Sequence, residues 1–322
     1  MTTIPRTTTS GSSVRIAFFG TPEFATAALR ALIGEGHDVV VVVTQPDRPR
    51  GRSRSQLEPS PVKQIALEEG IPVLQPERPR GTEFVEALRA AEPDVSVVVA
   101  YGHILPREVI DLPPFGTFNI HASLLPHYRG AAPIQAAVRD GCAESGVSVQ
   151  RMVERLDAGP VVLALTTPIA PEETAGELQL RLSELGAAAI VEALVLISVG
   201  QSTETPQDEA AVTYSPKIER EHARIHWDLP ANAVQAAIRA YDPKPGAWTT
   251  LGALEVRCYG AKVLEALSGA PGTVLEADGE GIVVACGAGA VRISDVHPAG
   301  RKRLAAAEWA RGRAVSVGER LV

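Results

Sequence analysis

Short apolar runs set between amphipathic stretches organise the first half of the chain. Residues 14–19 form one such run and end in Gly20-Thr21-Pro22, where Thr21 is placed to cap a helix and Pro22 to sit in its first turn. Residues 38–44 contain consecutive valines from Val39 to Val43, the pattern of a strand buried on both faces of a parallel sheet, and residues 94–100 repeat it. Between these runs Ser60-Pro61 opens a helical segment to Glu69, and residues 82–91 carry another. Strands alternating with helices predict an α/β fold: a Rossmann-like, open, mostly parallel sheet with right-handed crossovers. Such a sheet binds its ligand outside the carboxyl ends of its strands. Gly20 is followed by Thr21, Pro22 and Glu23, so the Gly-x-Gly-x-x-Gly fingerprint is absent and no NAD is expected.

The second half follows a different rhythm. A helical stretch over residues 173–196 leads into a segment rich in Ser, Thr, Gln, Glu and Pro, which makes residues 201–216 a linker. After a helix at 231–239, short strands are predicted at 247–251, 254–259, 272–275, 281–285 and 291–293, spaced by Gly-rich turns. Such a series predicts a small OB-like β-barrel. The expected plan is a disordered, Thr/Ser-rich tail at 1–13, an α/β domain at 14–200, the linker, and a barrel domain at 217–322.

Composition constrains this plan without changing it. A chain of 322 residues, 45% hydrophobic and 21% charged, suits a soluble protein of two domains, each with a core of its own. No apolar run approaches the roughly 18 residues that span a bilayer, so no membrane partner is expected. Cys142, Cys258 and Cys286 are widely separated and form no Cys-x-x-Cys pair, which fits a reducing compartment, the cytoplasm. The net charge of −7 disfavours a nucleic-acid partner, but the charge is uneven: residues 217–322 carry 14 Lys and Arg against 12 Asp and Glu, leaving 17 against 26 for residues 1–216.

Candidate chemistry gathers near the middle of the chain. In Thr117-Phe118-Asn119-Ile120-His121 polar and apolar residues alternate, so Asn119 and His121 project from one face of a strand, at its carboxyl end. By themselves they read equally as a strand end with satisfied hydrogen bonds. Asp157, in Arg155-Leu156-Asp157-Ala158-Gly159-Pro160, reads equally as a turn residue. Arg48, Arg50, Arg52 and Arg54 alternate with small or turn residues in the loop at 45–60, a spacing that suits phosphates or a solvated loop alike. His222 and His226 stand four apart without a third ligand, so no metal is expected.

The conjunction is more specific than its parts. Together with Tyr101-Gly102-His103-Ile104-Leu105-Pro106, Ser123-Leu124-Leu125-Pro126 and Arg129-Gly130-Ala131-Ala132-Pro133, these residues resemble the formyltransferases that use 10-formyltetrahydrofolate. The resemblance implies a catalytic Asn119, His121 and Asp157. It also implies a folate pocket at Ile104, Leu105, Ser123, Leu124, Leu125, Pro126, Glu154, Arg155 and Leu156. Further segments, Thr44-Gln45-Pro46-Asp47-Arg48-Pro49-Arg50-Gly51-Arg52 and Ser60-Pro61-Val62-Lys63, resemble the branch of that family whose acceptor is initiator methionyl-tRNA, as does the appended barrel. In that branch a basic loop enters the acceptor end of the tRNA. The matching residues here are Arg48, Arg50, Arg52 and Arg54, with Arg52 at a discriminating position, and Arg301, Lys302 and Arg303 of the barrel would extend the path along phosphates.

The implied reaction moves a formyl group from the folate to a free α-amine. The Asn119 amide and a protonated His121 would stabilise charge on the formyl oxygen, and Asp157 would favour the donor form of His121 and assist proton transfer. A monomer is expected. A formyltransferase of small amines or a formate-releasing hydrolase would share Asn119, His121 and Asp157, whereas a folate-binding module would tolerate their loss.

Overall fold

A computed structural model describes residues 14–50, 56–312 and 314–322. The tail at 1–13 and the arginines Arg52 and Arg54 lie outside the described residues. The chain divides into two compact units, one made of Met1–Arg129, Gly146–Thr166 and Leu180–Tyr214, the other of Gly130–Ser145, Thr167–Gln179 and Ser215–Val322.

The first unit carries a seven-stranded sheet. Its strands in chain order are β1 (Arg15–Gly20), β2 (Asp38–Val43), β3 (Val73–Leu74), β4 (Val95–Val99), β5 (Thr117–His121), β6 (Glu144–Arg151) and β7 (Val161–Pro168). Across the sheet they run β7-β6-β5-β4-β1-β2-β3. Neighbours from β3 to β5 pair in parallel, and β6 joins β5 antiparallel. The sheet is thus open and mostly parallel, as the valine runs imply. β4 is buried at every position, and its sequence, Val95-Ser96-Val97-Val98-Val99, reads as an apolar run interrupted once by the buried Ser96 rather than as an alternation. On one face Phe19, Val43, Val98, Leu88 and Ile110 share a core.

One local expectation is corrected. Pro22, not Thr21, takes the cap position, with extended backbone (φ −80°, ψ 173°), and the first turn is a short 3₁₀ segment, Glu23–Ala25, ahead of the helix Thr26–Gly34. Thr21 lies one residue too early to reach the helical N–H groups, and its hydroxyl donates instead to the Tyr101 carbonyl at 3.2 Å. Ser60 does cap as its sequence suggests: its hydroxyl accepts from the Lys63 N–H, with Pro61 at the first helical position.

In the second unit β8 (Ala247–Leu251), β9 (Leu254–Leu264), β10 (Val274–Asp278), β11 (Gly281–Ala285) and β12 (Ala290–Pro298) form an antiparallel sheet in the order β8-β9-β12-β11-β10. The C-terminal residues tie its two edges. Val322 exchanges both backbone hydrogen bonds with Thr250, and Leu321 donates to the Gly272 carbonyl. Closure of this kind leaves few open edge groups, as in a small barrel. The core includes Trp227, Trp309, Val256, Ile282, Ile293 and Val296. β9 runs five residues beyond its expected end because Gly260, at φ +64°, keeps the strand register where a side chain would collide with Ser294.

Candidate active site

β5 ends at the carboxyl edge of the sheet and brings Asn119 and His121 out on one face. Its antiparallel partner sets Gln150 opposite Asn119 and Ser148 opposite His121, and directly opposed residues share a face. The result is a polar patch inside an apolar sheet, in which Ser148 and Gln150 are fully buried and His121 is only 5% exposed. Buried polar groups of this kind are costly unless bonded, and the neighbouring loops supply the partners.

His121 Nε2 lies 2.9 Å from the Tyr128 carbonyl oxygen. A carbonyl only accepts, so Nε2 carries a proton, and the second ring nitrogen, Nδ1, faces Asp157 with 3.7 Å to Oδ2. That is an ion-pair distance for a protonated ring and too long for a direct hydrogen bond. The ring is therefore fixed in the first place by a backbone carbonyl, which the sequence did not announce. No hydrogen bond from any described residue engages the Asn119 amide, which is half-buried.

The loop after His121 is anchored by Ser148. Its hydroxyl donates to the Ser123 carbonyl (2.8 Å) and accepts from the Leu125 N–H (3.0 Å), while the Ser123 hydroxyl donates to the His127 carbonyl (2.6 Å). The Leu125–Pro126 peptide bond is cis. Leu124, Leu125 and Pro126 are partly exposed beside this anchored backbone.

Asp157 sits on the loop between β6 and β7. The loop is pinched at its neck, where the Arg151 N–H donates to the Pro160 carbonyl at 3.0 Å. Gly159 is required there, because a Cβ would come within 1.7 Å of the Arg151 carbonyl oxygen. Asp157 itself has φ +47°, a left-handed conformation unusual outside glycine that the surrounding bonds must hold. Gln150 Nε2 donates to Asp157 Oδ1 at 3.0 Å. Gln207, from the segment expected to be a plain linker, donates to the Asp157 and Gly159 carbonyls at 2.8 and 2.7 Å. Arg129, with 0% exposure, donates through Nε and Nη2 to Gln207 Oε1 and through Nη2 to Glu209. Arg129, chiefly, holds the Glu209 carboxyl below its usual range.

The other expected residues fall in different settings. Ile104 is 84% exposed, whereas Leu105 is 2% exposed and belongs to the core with Phe19 and Val109, so only Ile104 of the pair offers an apolar surface. Glu154, Arg155 and Leu156 are exposed on the Asp157 loop, with Arg155 paired to Glu209 at 2.6 Å. Arg48–Arg50 and Gln56–Glu58 pair as an antiparallel hairpin with Arg48 exposed. Its root is tied by Asp47, which accepts from Lys63 (2.6 Å) and Gln75 (2.7 Å), while Gln75 also donates to the Gln45 carbonyl. In the second unit Arg301 and Lys302 are exposed, whereas Arg303 stacks 4.1 Å over Tyr259 and pairs with Asp242 and Asp295. His222 Nδ1 accepts from the Glu219 N–H, and among the described residues no cluster of three or more His, Cys, Asp or Glu could hold a metal. No helix among them is long and apolar enough to cross a membrane.

Ser148, Gln150 and Gln207 are the residues that sequence reasoning missed. The first two were signalled by the alternation Val147-Ser148-Val149-Gln150, which places two polar side chains on one face. Gln207 carried no signal in a polar stretch.

An amide donor beside an imidazole and a carboxylate can stabilise charge on a small oxygen and move a proton, the chemistry of acyl-group transfer. Comparison with known proteins narrows that class. The chain belongs to the formyl transferase family: the Formyl transferase pattern matches residues 14–194, and the Formyl transferase C-terminal domain matches residues 217–314. It is 49% identical to the methionyl-tRNA formyltransferase of Aromatoleum aromaticum over 97% of this chain and 98% of that one. Its identity to the methionyl-tRNA formyltransferase of Moorella thermoacetica is 45% over 95% and 98%. Among solved structures, HypX from Aquifex aeolicus, crystallised with tetrahydrofolic acid, shares the fold with a TM-score of 0.67 and 24% identity, over 96% of this chain and 49% of that one.

Proposed function

We propose that the protein transfers the formyl group of 10-formyltetrahydrofolate to the free α-amine of initiator methionyl-tRNA, acting as a monomer in the cytoplasm. The observation that carries this reading is near-half identity to methionyl-tRNA formyltransferases along almost the whole chain, both domains included. Residues 14–200 would perform the chemistry and residues 217–322 would help hold the tRNA, joined by the linker at 201–216.

The folate supplies an activated formyl group, and the exposed apolar side chains of Ile104 and Leu156 and the anchored backbone from Ser123 to Pro126 suit a flat heterocycle. The amine must attack while neutral. As it does, negative charge grows on the formyl oxygen, and the Asn119 amide, free of partners among the described residues, donates to it. His121 donates through Nδ1, since Nε2 is committed to Tyr128. Asp157 balances the imidazolium charge and orders proton transfer from the incoming amine to the departing nitrogen. Glu154 and Arg155 would border the pterin through the backbone of their loop, and Leu105 would support it from beneath. Arg48, Arg50, Arg52 and Arg54 would grip the acceptor end of the tRNA, with Arg301, Lys302 and Arg303 along the phosphates.

The test is direct. Purified protein is incubated with radiolabelled 10-formyltetrahydrofolate and either initiator or elongator methionyl-tRNA, and label is followed into the aminoacyl ester. Label on the initiator species is expected; formate release with neither tRNA labelled would overturn the reading.

A further inference from the structure

Asp157 occupies a left-handed backbone position on a loop with an exposed outer face, yet its carboxylate must stay within reach of His121. Something outside the loop has to hold it. β6 supplies one hold, the Gln150 amide on Oδ1. The second comes from the segment between the helix Ala175–Ser198 and Ser215, which composition alone would class as a passive connector.

Both polar atoms of the Gln207 side chain are bonded. Its Nε2 donates to the carbonyl of the strained residue Asp157 itself and to that of Gly159 two residues further on, and lies 3.4 Å from Gln150 Oε1. Its Oε1 accepts twice from the buried Arg129 guanidinium, at 3.0 and 2.9 Å. One side chain thus joins a buried cation to the Asp157 carbonyl and to the Gly159 carbonyl just beyond it. Neighbouring linker residues hold the loop's neck, with Glu204 paired to Arg151 at 2.6 Å and Thr205 bridged to Val161. A connector without a role in the loop would have no reason to place an amide donor between two carbonyls and an amide acceptor on a buried arginine.

We propose that Gln207 is a positioning residue for the reaction: it fixes the backbone on which Asp157 is presented to His121, and Arg129 orients Gln207. This rests on the catalytic reading of Asp157 given above. Misplacing a catalytic group by about 1 Å can cost on the order of 100-fold in rate, so loss of the brace should appear in kcat rather than in substrate binding.

The test uses Gln207→Glu, Asp157→Asn and the double variant of the full chain, assayed with 10-formyltetrahydrofolate and initiator methionyl-tRNA. A glutamate at this position still accepts from Arg129 but cannot donate to the Asp157 and Gly159 carbonyls. The expected result is a fall in kcat of roughly 10-fold to 100-fold for Gln207→Glu with both KM values within about twofold of the parent. In the Asp157→Asn background the same change should cost less than about twofold further, because a brace has nothing left to position. Gln207→Met, which removes donor and acceptor at similar size, is read by the same criterion if the first variant does not fold. A parental kcat for Gln207→Glu alongside an impaired Asp157→Asn overturns the brace and leaves the proposed function standing, as does a full second loss in the double variant. A parental rate for Asp157→Asn overturns the reading of Asp157 itself, and the brace with it.

Discussion

The polar patch around His121 and the arginine hairpin at Arg48–Arg50 and Gln56–Glu58 belong to the same unit but are held in opposite ways. In the patch, the buried Ser148 bonds to the loop backbone, the buried Gln150 to the Asp157 carboxylate and the buried Arg129 to Gln207 and Glu209, so the groups of the proposed site have little freedom. In the hairpin the root is tied through Asp47, Lys63 and Gln75, and Arg48, Pro49, Leu57 and Glu58 are exposed. Chemistry at a single oxygen depends on donors set in advance, whereas gripping a long polyanion depends on reach and charge. Variants in the two regions should therefore fail differently, the first in kcat and the second in the tRNA KM.

The largest effect is expected at the patch. Under the proposed mechanism His121→Ala would remove one donor to the developing charge, and kcat should fall about 100-fold to 1,000-fold with little change in either KM. Steady-state kinetics at saturating folate and tRNA check this, and a change confined to KM would erase the contrast between the regions. Next comes the hairpin root. Asp47→Ala removes the carboxylate that accepts from Lys63 and Gln75, a charged hydrogen-bond pair whose loss is worth about a tenfold rise in the tRNA KM with kcat nearly unchanged. Smaller still is Arg48→Ala, for which a roughly two- to fivefold weaker tRNA dependence and a salt slope lower by about 1 are expected from binding measured across ionic strengths.

The smallest effect sharpens the comparison through pH. Donation from Lys63, then from Gln75, holds the Asp47 carboxyl below its ordinary value of 3.8. A depressed carboxylate contributes stability that is present above the unfolded value and lost as pH falls through the folded one. The root should therefore stay tied at every pH above 3.8, and the tRNA KM should show no inflection from Asp47 between about pH 5 and 8. Such an inflection, absent in Asp47→Ala, would show that the root opens near neutrality.

Much of this was legible in the sequence, and for identifiable reasons. The valine run from Val39 to Val43 marks a strand covered on both sides, and the period of two in Thr117 to His121 puts Asn119 and His121 on one face whatever the rest of the chain does. What stayed hidden depends on partners distant in sequence. The places of Ser148 and Gln150 follow from the antiparallel register of β6 on β5. Gln207 is one amide in a polar stretch until the fold brings it to Arg129 and Asp157, and Thr21 reads as a helix cap until Pro22 is seen to hold that position. The burial of Leu105, 2% exposed beside an exposed Ile104, also follows from the fold and not from its neighbours in sequence.

The central claim is that Asn119 acts on the formyl oxygen, with His121 and Asp157 as its partners. It is tested most directly by the single-turnover rate of formyl transfer to initiator methionyl-tRNA, measured for the parent and for Asn119→Ala at saturating concentrations of both substrates. The rate should fall at least about 100-fold while the melting temperature and both substrate affinities stay near parental values. A single-turnover rate within about threefold of the parent, for a folded variant that binds both substrates, would contradict the claim.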